Sequence, residues 1–275
     1  MPILFALLAA ALWGAADFFG GVGARHTSAR LVAVVSQSAG LVAAAIVAPF
    51  LWGTTSIQDI MWGLVAGVGG GLAVMVLYRG FQVGRISLTS PIAAVGVAVF
   101  PAIVSIVTGD PVTGLQYAGG VLAMGALWVL VGGGGDDDRG PIRASVFYGV
   151  LAGIGFALLL IGLGQVEHDI AGPLVASRVG GALALVTPSV LTGANLRAPR
   201  AAIRPAMASG AAAVAGNIAF LVASGEESLA IVSVLAALFP AFTVGLAVVF
   251  LGEALTRRRL VGLALALVGI AVIVA

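Results

Sequence analysis

Long apolar runs alternate with short polar interruptions along the whole chain. A bilayer core takes about 20 apolar residues of α-helix. On that ruler the runs predict ten helices, over residues 3–22, 30–51, 60–81, 86–108, 114–132, 144–165, 170–192, 203–224, 228–251 and 257–275. A membrane β-barrel would need strict alternation over segments of about ten residues, and that pattern is absent. The predicted fold class is therefore an all-α integral membrane protein with ten transmembrane helices. The longest interruption, the Gly- and Asp-rich stretch 133–142, lies near the middle and reads as a solvated linker. It separates a first five-helix half, 1–132, from a second, 143–275.

The two halves resemble each other. Gly109–Val131 aligned on Gly252–Val274 without gaps matches at 7 of 23 positions. Phe100-Pro101-Ala102 echoes Phe239-Pro240-Ala241, and Gly84-Arg85-Ile86-Ser87-Leu88 echoes Gly225-Glu226-Glu227-Ser228-Leu229. The interval from Pro101 to Gly109 is four residues shorter than that from Pro240 to Gly252. A half with an odd number of spans puts its successor into the bilayer the opposite way round. The chain is thus expected to form two inverted five-helix repeats, a plan common among secondary transporters.

Arginine placement supplies the orientation. The thirteen Lys+Arg residues are all arginine, and twelve of them flank the odd-numbered loops. The even loops carry only acids, among them Asp59, Asp110 and Glu167. The positive-inside rule then places odd loops in the cytoplasm and both termini outside, in a cell (inner) membrane. Met1-Pro2 runs straight into apolar sequence without a basic n-region, so the first run is expected to be a retained span.

Composition narrows the chemistry. Hydrophobic residues make up 61% of the chain and charged residues 9%, against about 25% charged in soluble domains. Zero cysteines exclude disulfides and thiolate metal sites. The only histidines, His26 and His168, stand at span ends on opposite sides, so metal triads and Ser-His-Asp arrangements lack their parts. No enzyme, catalytic residue, cofactor, metal or nucleic-acid partner is expected. Small residues at spacing four, Gly63/Gly67, Gly149/Gly153 and Gly262/Ala266, predict close helix packing.

Polar residues far from water are the candidate site. Arg178 lies about 12 Å into its span at about 1.5 Å per residue. It is the arginine that topology leaves unexplained. Its fork of donors suits an anionic substrate group; the alternatives are a buried acid, helix-end carbonyls or snorkelling. Gln37 is its repeat mate, since Ser36–Gly40 aligns with Ser177–Gly181. Asp17 is the acid well inside a span, able to take a proton, a cation or a substrate amino group, or to pair with Arg178. Asn217 is expected to touch substrate or to satisfy a neighbouring backbone group. Trp13 and Tyr78 complete the substrate-binding candidates. Pro91, Pro101, Pro188 and Pro240 fall within predicted spans, where each removes an amide donor. Glu253 and Thr256 stand at the entrance of the last span and are expected to cap it.

Leu12-Trp13-Gly14, the Phe-Pro-Ala prolines, and Phe250-Leu251-Gly252-Glu253-Ala254-Leu255-Thr256 before the last span carry a resemblance over nearly the whole chain. In this arrangement they resemble the EamA-type family of the drug/metabolite transporter superfamily. The first half departs from the pattern, with Asp110-Pro111 where the second has Glu253-Ala254. The resemblance implies ten helices with a central cavity between inverted repeats, moving small metabolites, often outward, by alternating access. The expected function is secondary transport, as an exporter, of a small polar metabolite such as an amino acid. Expected partners are that small-molecule substrate, the lipid bilayer and a coupling proton or cation, in a monomer or homodimer. The alternatives are a sugar or nucleoside uptake carrier and a non-transporting membrane scaffold. A scaffold predicts Asp17 and Arg178 locked together.

Overall fold

Ten α-helices occupy the apolar runs among the described residues. They are α1 (Pro2–Ala24), α2 (Ala29–Val47), α3 (Ile57–Val83), α4 (Ile86–Thr108), α5 (Gly114–Val131), α6 (Ile142–Gly164), α7 (Ala171–Leu191), α8 (Arg200–Glu226), α9 (Phe239–Leu251) and α10 (Arg257–Val274). The computed structural model describes the chain except residues 52–55, 109–112, 132–140, 166–170, 194, 227–234, 236–237, 254 and 275. Asp110, Glu167 and most of the predicted linker lie outside the described residues. Among the described residues, five stretches, 2–24, 29–50, 57–83, 142–159 and 171–191, are long and apolar enough to cross a membrane. Large apolar side chains such as Val42, Ile46, Leu183 and Val249 point outward and are exposed, as they must be where the solvent is lipid.

Local chemistry moves some ends from their predicted places. Ser56 and Asp59 form a reciprocal capping box, with Asp59 N–H donating to Ser56 Oγ at 3.0 Å and Ser56 N–H to Asp59 Oδ2 at 3.4 Å. The helix therefore starts at Ile57 rather than residue 60, and Asp59 is a buried cap rather than a free loop charge. α8 begins at Arg200, so Arg200 and Arg204 lie in its first turns rather than in the loop before it. Pro240 stands in the first turn of α9, where a missing amide costs nothing. Pro188 lies inside α7, and Pro205 inside α8 is a further interior proline.

The strongest packing joins one half to the other. α1 packs on α8 and α9, α3 on α6 and α7, α2 on α7 and α8, α4 on α6, and α5 on α10. Glycine sets the spacing of the α3–α7 seam. A Cβ on Gly63 would stand 2.8 Å from the Pro173 backbone, and one on Gly71 2.6 Å from Gly181 Cα. One on Gly67 would run into the Ser177 carbonyl. Residues 173, 177 and 181 repeat the four-residue spacing of 63, 67 and 71, so two flat stripes meet backbone to backbone. On α2 and α8 a Cβ on Gly210 would collide with the Ser36 carbonyl in the same way. At the α5–α10 contact Ala123 and Ala266, aligned by the repeat, share one buried cluster.

The odd-numbered connections gather at one end of the bundle. The Gln82 amide donates to the carbonyls of Ala24 at 2.9 Å and Thr27 at 3.0 Å, and Arg85 N–H donates to Ser145 Oγ at 2.8 Å. Gly252, at φ 63°, ends α9 in the left-handed conformation and turns the chain. Glu253 then accepts from Ile86 N–H at 3.3 Å and Ser87 N–H at 3.0 Å, and meets Arg25 at 3.9 Å. Glu253 is therefore a cap, as expected, but of α4 and not of the helix that follows it. The reason is geometric: the left-handed turn aims the carboxylate at free amides across the half boundary. Glu253→Ala is expected to cost about 1–2 kcal/mol of stability through loss of this cap. Arg25→Ala should cost little, because Arg25 is 44% exposed in a long ion pair. Thermal unfolding of the two variants in detergent checks both expectations.

Candidate functional site

The six side chains singled out in the sequence fall on five helices. Trp13 and Asp17 lie on α1, Gln37 on α2, Tyr78 on α3, Arg178 on α7 and Asn217 on α8. Small residues allow these helices to approach, and the polar groups meet where they do.

Arg178 and Gln37, which align in the sequence, touch. Arg178 Nη1 donates to Gln37 Oε1 at 3.3 Å. The arginine stem lies along Gly40 of α2, whose absent Cβ would stand 3.4 Å from Arg178 Cδ. Gln37 is 5% exposed, and its amide nitrogen faces Gly181. A guanidinium carries five donors, and this is its one hydrogen bond among the described residues. Its Nε is buried without a partner. The snorkelling and helix-end alternatives for Arg178 find no counterpart in these contacts.

Next to Gln37 on α2, Ser36 donates to Ser209 Oγ at 3.2 Å, and Ser209 shares a 2.6 Å hydrogen bond with the Tyr78 hydroxyl. Tyr78 is 2% exposed, and its ring occupies the space left by Gly20 on α1. This hydroxyl chain ties α2, α3 and α8 together. Sequence reasoning passed over Ser209. Serine is common in membrane helices, and only its juxtaposition with Gly210, the close-contact point against Ser36, marked it. Ser177, the mate of Ser36, instead donates to Leu174 O within its own helix at 2.8 Å.

Asp17 lies on the face of α1 that carries Gly14, Gly20 and Gly21, and these glycines abut α9, Tyr78 and Phe81. The carboxylate therefore points into the bundle. Among the described residues it has no hydrogen bond or ion pair, and in particular none to Arg178. Both Asp17 and Arg178 lie within electrostatic reach of the Tyr78 hydroxyl. One turn before Asp17, Trp13 Nε1 donates to Asn217 Oδ1 at 2.9 Å, and the indole packs on Phe220 at 5.5 Å between centroids. Asn217 thus satisfies a side chain on another helix, not neighbouring backbone. Gly216 makes room, since a Cβ there would stand 2.6 Å from the indole Cδ1.

The geometry brings together an uncompensated cation, an uncompensated carboxylate, two amides and a buried hydroxyl chain. Charges left so in a low-dielectric interior are costly unless a partner or water reaches them.

Comparison with known proteins places the chain. No curated protein matches it. A solved crystal structure, titled simply "Crystal structure of protein", superposes over 98% of this chain and 97% of its own, with TM-score 0.64 and 14% identity. That likeness establishes a shared fold over nearly the full length and nothing about activity. Residues 143–275 match the model of the EamA-like transporter family, in the half where the sequence pattern is complete. That family belongs to the drug/metabolite transporter superfamily, and the second half of the chain is similar to it; with the long apolar helices, the match points to a multi-pass helical membrane protein.

Proposed function

We propose that the chain is a secondary transporter that exports a small polar metabolite, an amino acid or close relative, by alternating access around a site lined by Asp17 and Arg178. The observation that carries the reading is the separation of these two charges. A scaffold would gain by pairing them, whereas a carrier of zwitterions needs each free for its counterpart on the substrate. Gln37 steadies the guanidinium and Trp13 with Asn217 forms a wall; Tyr78 holds three helices in register. Between substrates, a proton or cation on Asp17 would remove the cost of its lone charge, which makes Asp17 the coupling residue.

Three features support inverted repeats, 1–132 and 143–275, about this site. Exchanging each helix with the one five later turns α1–α8 packing into α6–α3, α3–α7 into α8–α2, and α4–α6 into α9–α1, and all of these pairs are in contact. The glycine–carbonyl contact of Gly67 on Ser177 has its equivalent in Gly210 on Ser36. Two pairs of aligned residues, Gln37 with Arg178 and Ala123 with Ala266, meet each other, as residues beside a two-fold axis do. With odd loops gathered at one end and rich in arginine, that end is the cytoplasmic one in a cell (inner) membrane. Monomer and homodimer suit this plan equally.

The test is a thermal-shift screen of the purified protein against amino acids, sugars and simple cations, followed by counterflow in liposomes for any stabilising compound. A zwitterion that raises the melting temperature and exchanges across the bilayer supports the proposal. Stabilisation confined to uncharged sugars or nucleosides would replace it with the sugar-type carrier.

A further inference from the structure

A polar cavity lined by none of the six candidate residues lies at the end of the bundle where the odd connections meet. It has a volume of about 510 Å³, and its polar lining comes from Ser28 before α2, Arg30 on α2, Arg79 and Gln82 on α3, Tyr148 on α6 and Asn195 before α8. Among its lining residues there is no aspartate or glutamate. Neither arginine has an ion-pair partner among the described residues.

One of the two arginines is held in place. Arg79 Nη1 donates to Gln82 Oε1 at 2.6 Å, and Gln82 is itself anchored through its amide to the carbonyls of Ala24 and Thr27. The guanidinium is thereby oriented while most of its donors stay unspent. Asn195 accepts from Arg197 N–H at 2.9 Å through Oδ1, which leaves its amide N–H groups to donate. Arg30, Arg79 and Asn195 thus present donors to one space, and Met75 and Leu196 give it apolar walls. Two like charges facing one cavity repel each other, and an anion between them removes that cost. Guanidinium forks facing one space suit an oxyanion such as phosphate.

We propose that this cavity is a binding site for a phosphate group, either that of an anionic phospholipid headgroup or inorganic phosphate, separate from the transport site. The apolar walls and the position at the end of the bundle suit both sources.

Melting temperatures of the full chain test it in two arms. The first titrates inorganic phosphate against chloride at equal ionic strength in detergent. The second compares nanodiscs of phosphatidylcholine alone with nanodiscs containing phosphatidylglycerol. Wild type is expected to be stabilised in at least one arm, and the arm that responds identifies the source. Arg79→Gln and Arg30→Gln should each weaken the response about tenfold in concentration. Arg143→Gln, an exposed arginine outside the cavity, should leave it unchanged. Arg30 is exposed at the helix start, so its variant tests the site even if Arg79→Gln fails to fold. No stabilisation of wild type in either arm overturns the proposal. So does an equal response from wild type and Arg30→Gln, which would mark general salt or lipid effects.

Discussion

Replacing Arg178 with alanine is expected to abolish transport and to weaken substrate binding by about 100-fold or more, the usual consequence of stranding a buried charge without its partner. The empty protein should respond differently. In wild type the guanidinium has, among the described residues, one hydrogen bond, to Gln37, and a buried Nε without a partner. Removing it eliminates an uncompensated charge, at the smaller cost of freeing the Gln37 carbonyl oxygen, about 1 kcal/mol. The melting temperature of the ligand-free variant is therefore expected to stay level or to rise. Arg178→Lys keeps the charge but not the planar fork, and should recover part of the binding. A structural arginine would behave the other way, with a lower melting temperature and unchanged ligand response. Thermal shift with and without the compound found by screening separates the two.

Gly67→Val is expected to abolish folding or strip α7 from α3, with the largest stability loss of any single change considered. At this point the obstacle is backbone: the new Cβ would stand 2.7 Å from the Ser177 Cα and carbonyl carbon and nearer still to the oxygen. Neither can move without moving the helix. Separating the helices also opens the contacts at Gly63–Pro173 and Gly71–Gly181, so the cost is expected to exceed the usual overpacking range of about 1–3 kcal/mol. Gly67→Ala should also destabilise, because the gain in helix propensity, about 1 kcal/mol, is smaller than the clash. Gly125 on α5 is the control. It is exposed, with nothing within 4 Å of its added Cβ, and Gly125→Ala should be neutral or slightly stabilising. Size-exclusion profiles and melting curves in detergent measure all three variants.

The sequence made the helices legible because the bilayer is a demanding solvent. A span must be long and apolar throughout, so its presence is written locally. Helix ends were less legible, since they depend on partners. Asp59 looked like a loop charge until Ser56 closed the capping box with it, and Glu253 looked like the cap of its own helix until the left-handed Gly252 turned it toward α4. Within the site, the sequence alignment of Ser36–Gly40 on Ser177–Gly181 pairs Gln37 with Arg178, and the hydrogen bond joins that pair. Ser209 and the Trp13–Asn217 bond had no such signal. A polar side chain's depth can be counted from the sequence, but its partner lies 204 residues away in the case of Trp13 and Asn217. Only the packing of α1 on α8 brings them together.

The central claim is that opposed halves enclose a wet polar pocket containing Asp17 and Arg178. The chain has no cysteine, so single cysteines introduced at Gln37 and Asn217, and at the lipid-facing Val42 and Leu183, can be labelled in intact membranes with a water-soluble thiol reagent. The account predicts that cysteines at 37 and 217 react, that substrate slows their reaction, and that cysteines at 42 and 183 stay unlabelled. Unreactive cysteines at 37 and 217 in a folded, membrane-inserted protein would contradict it.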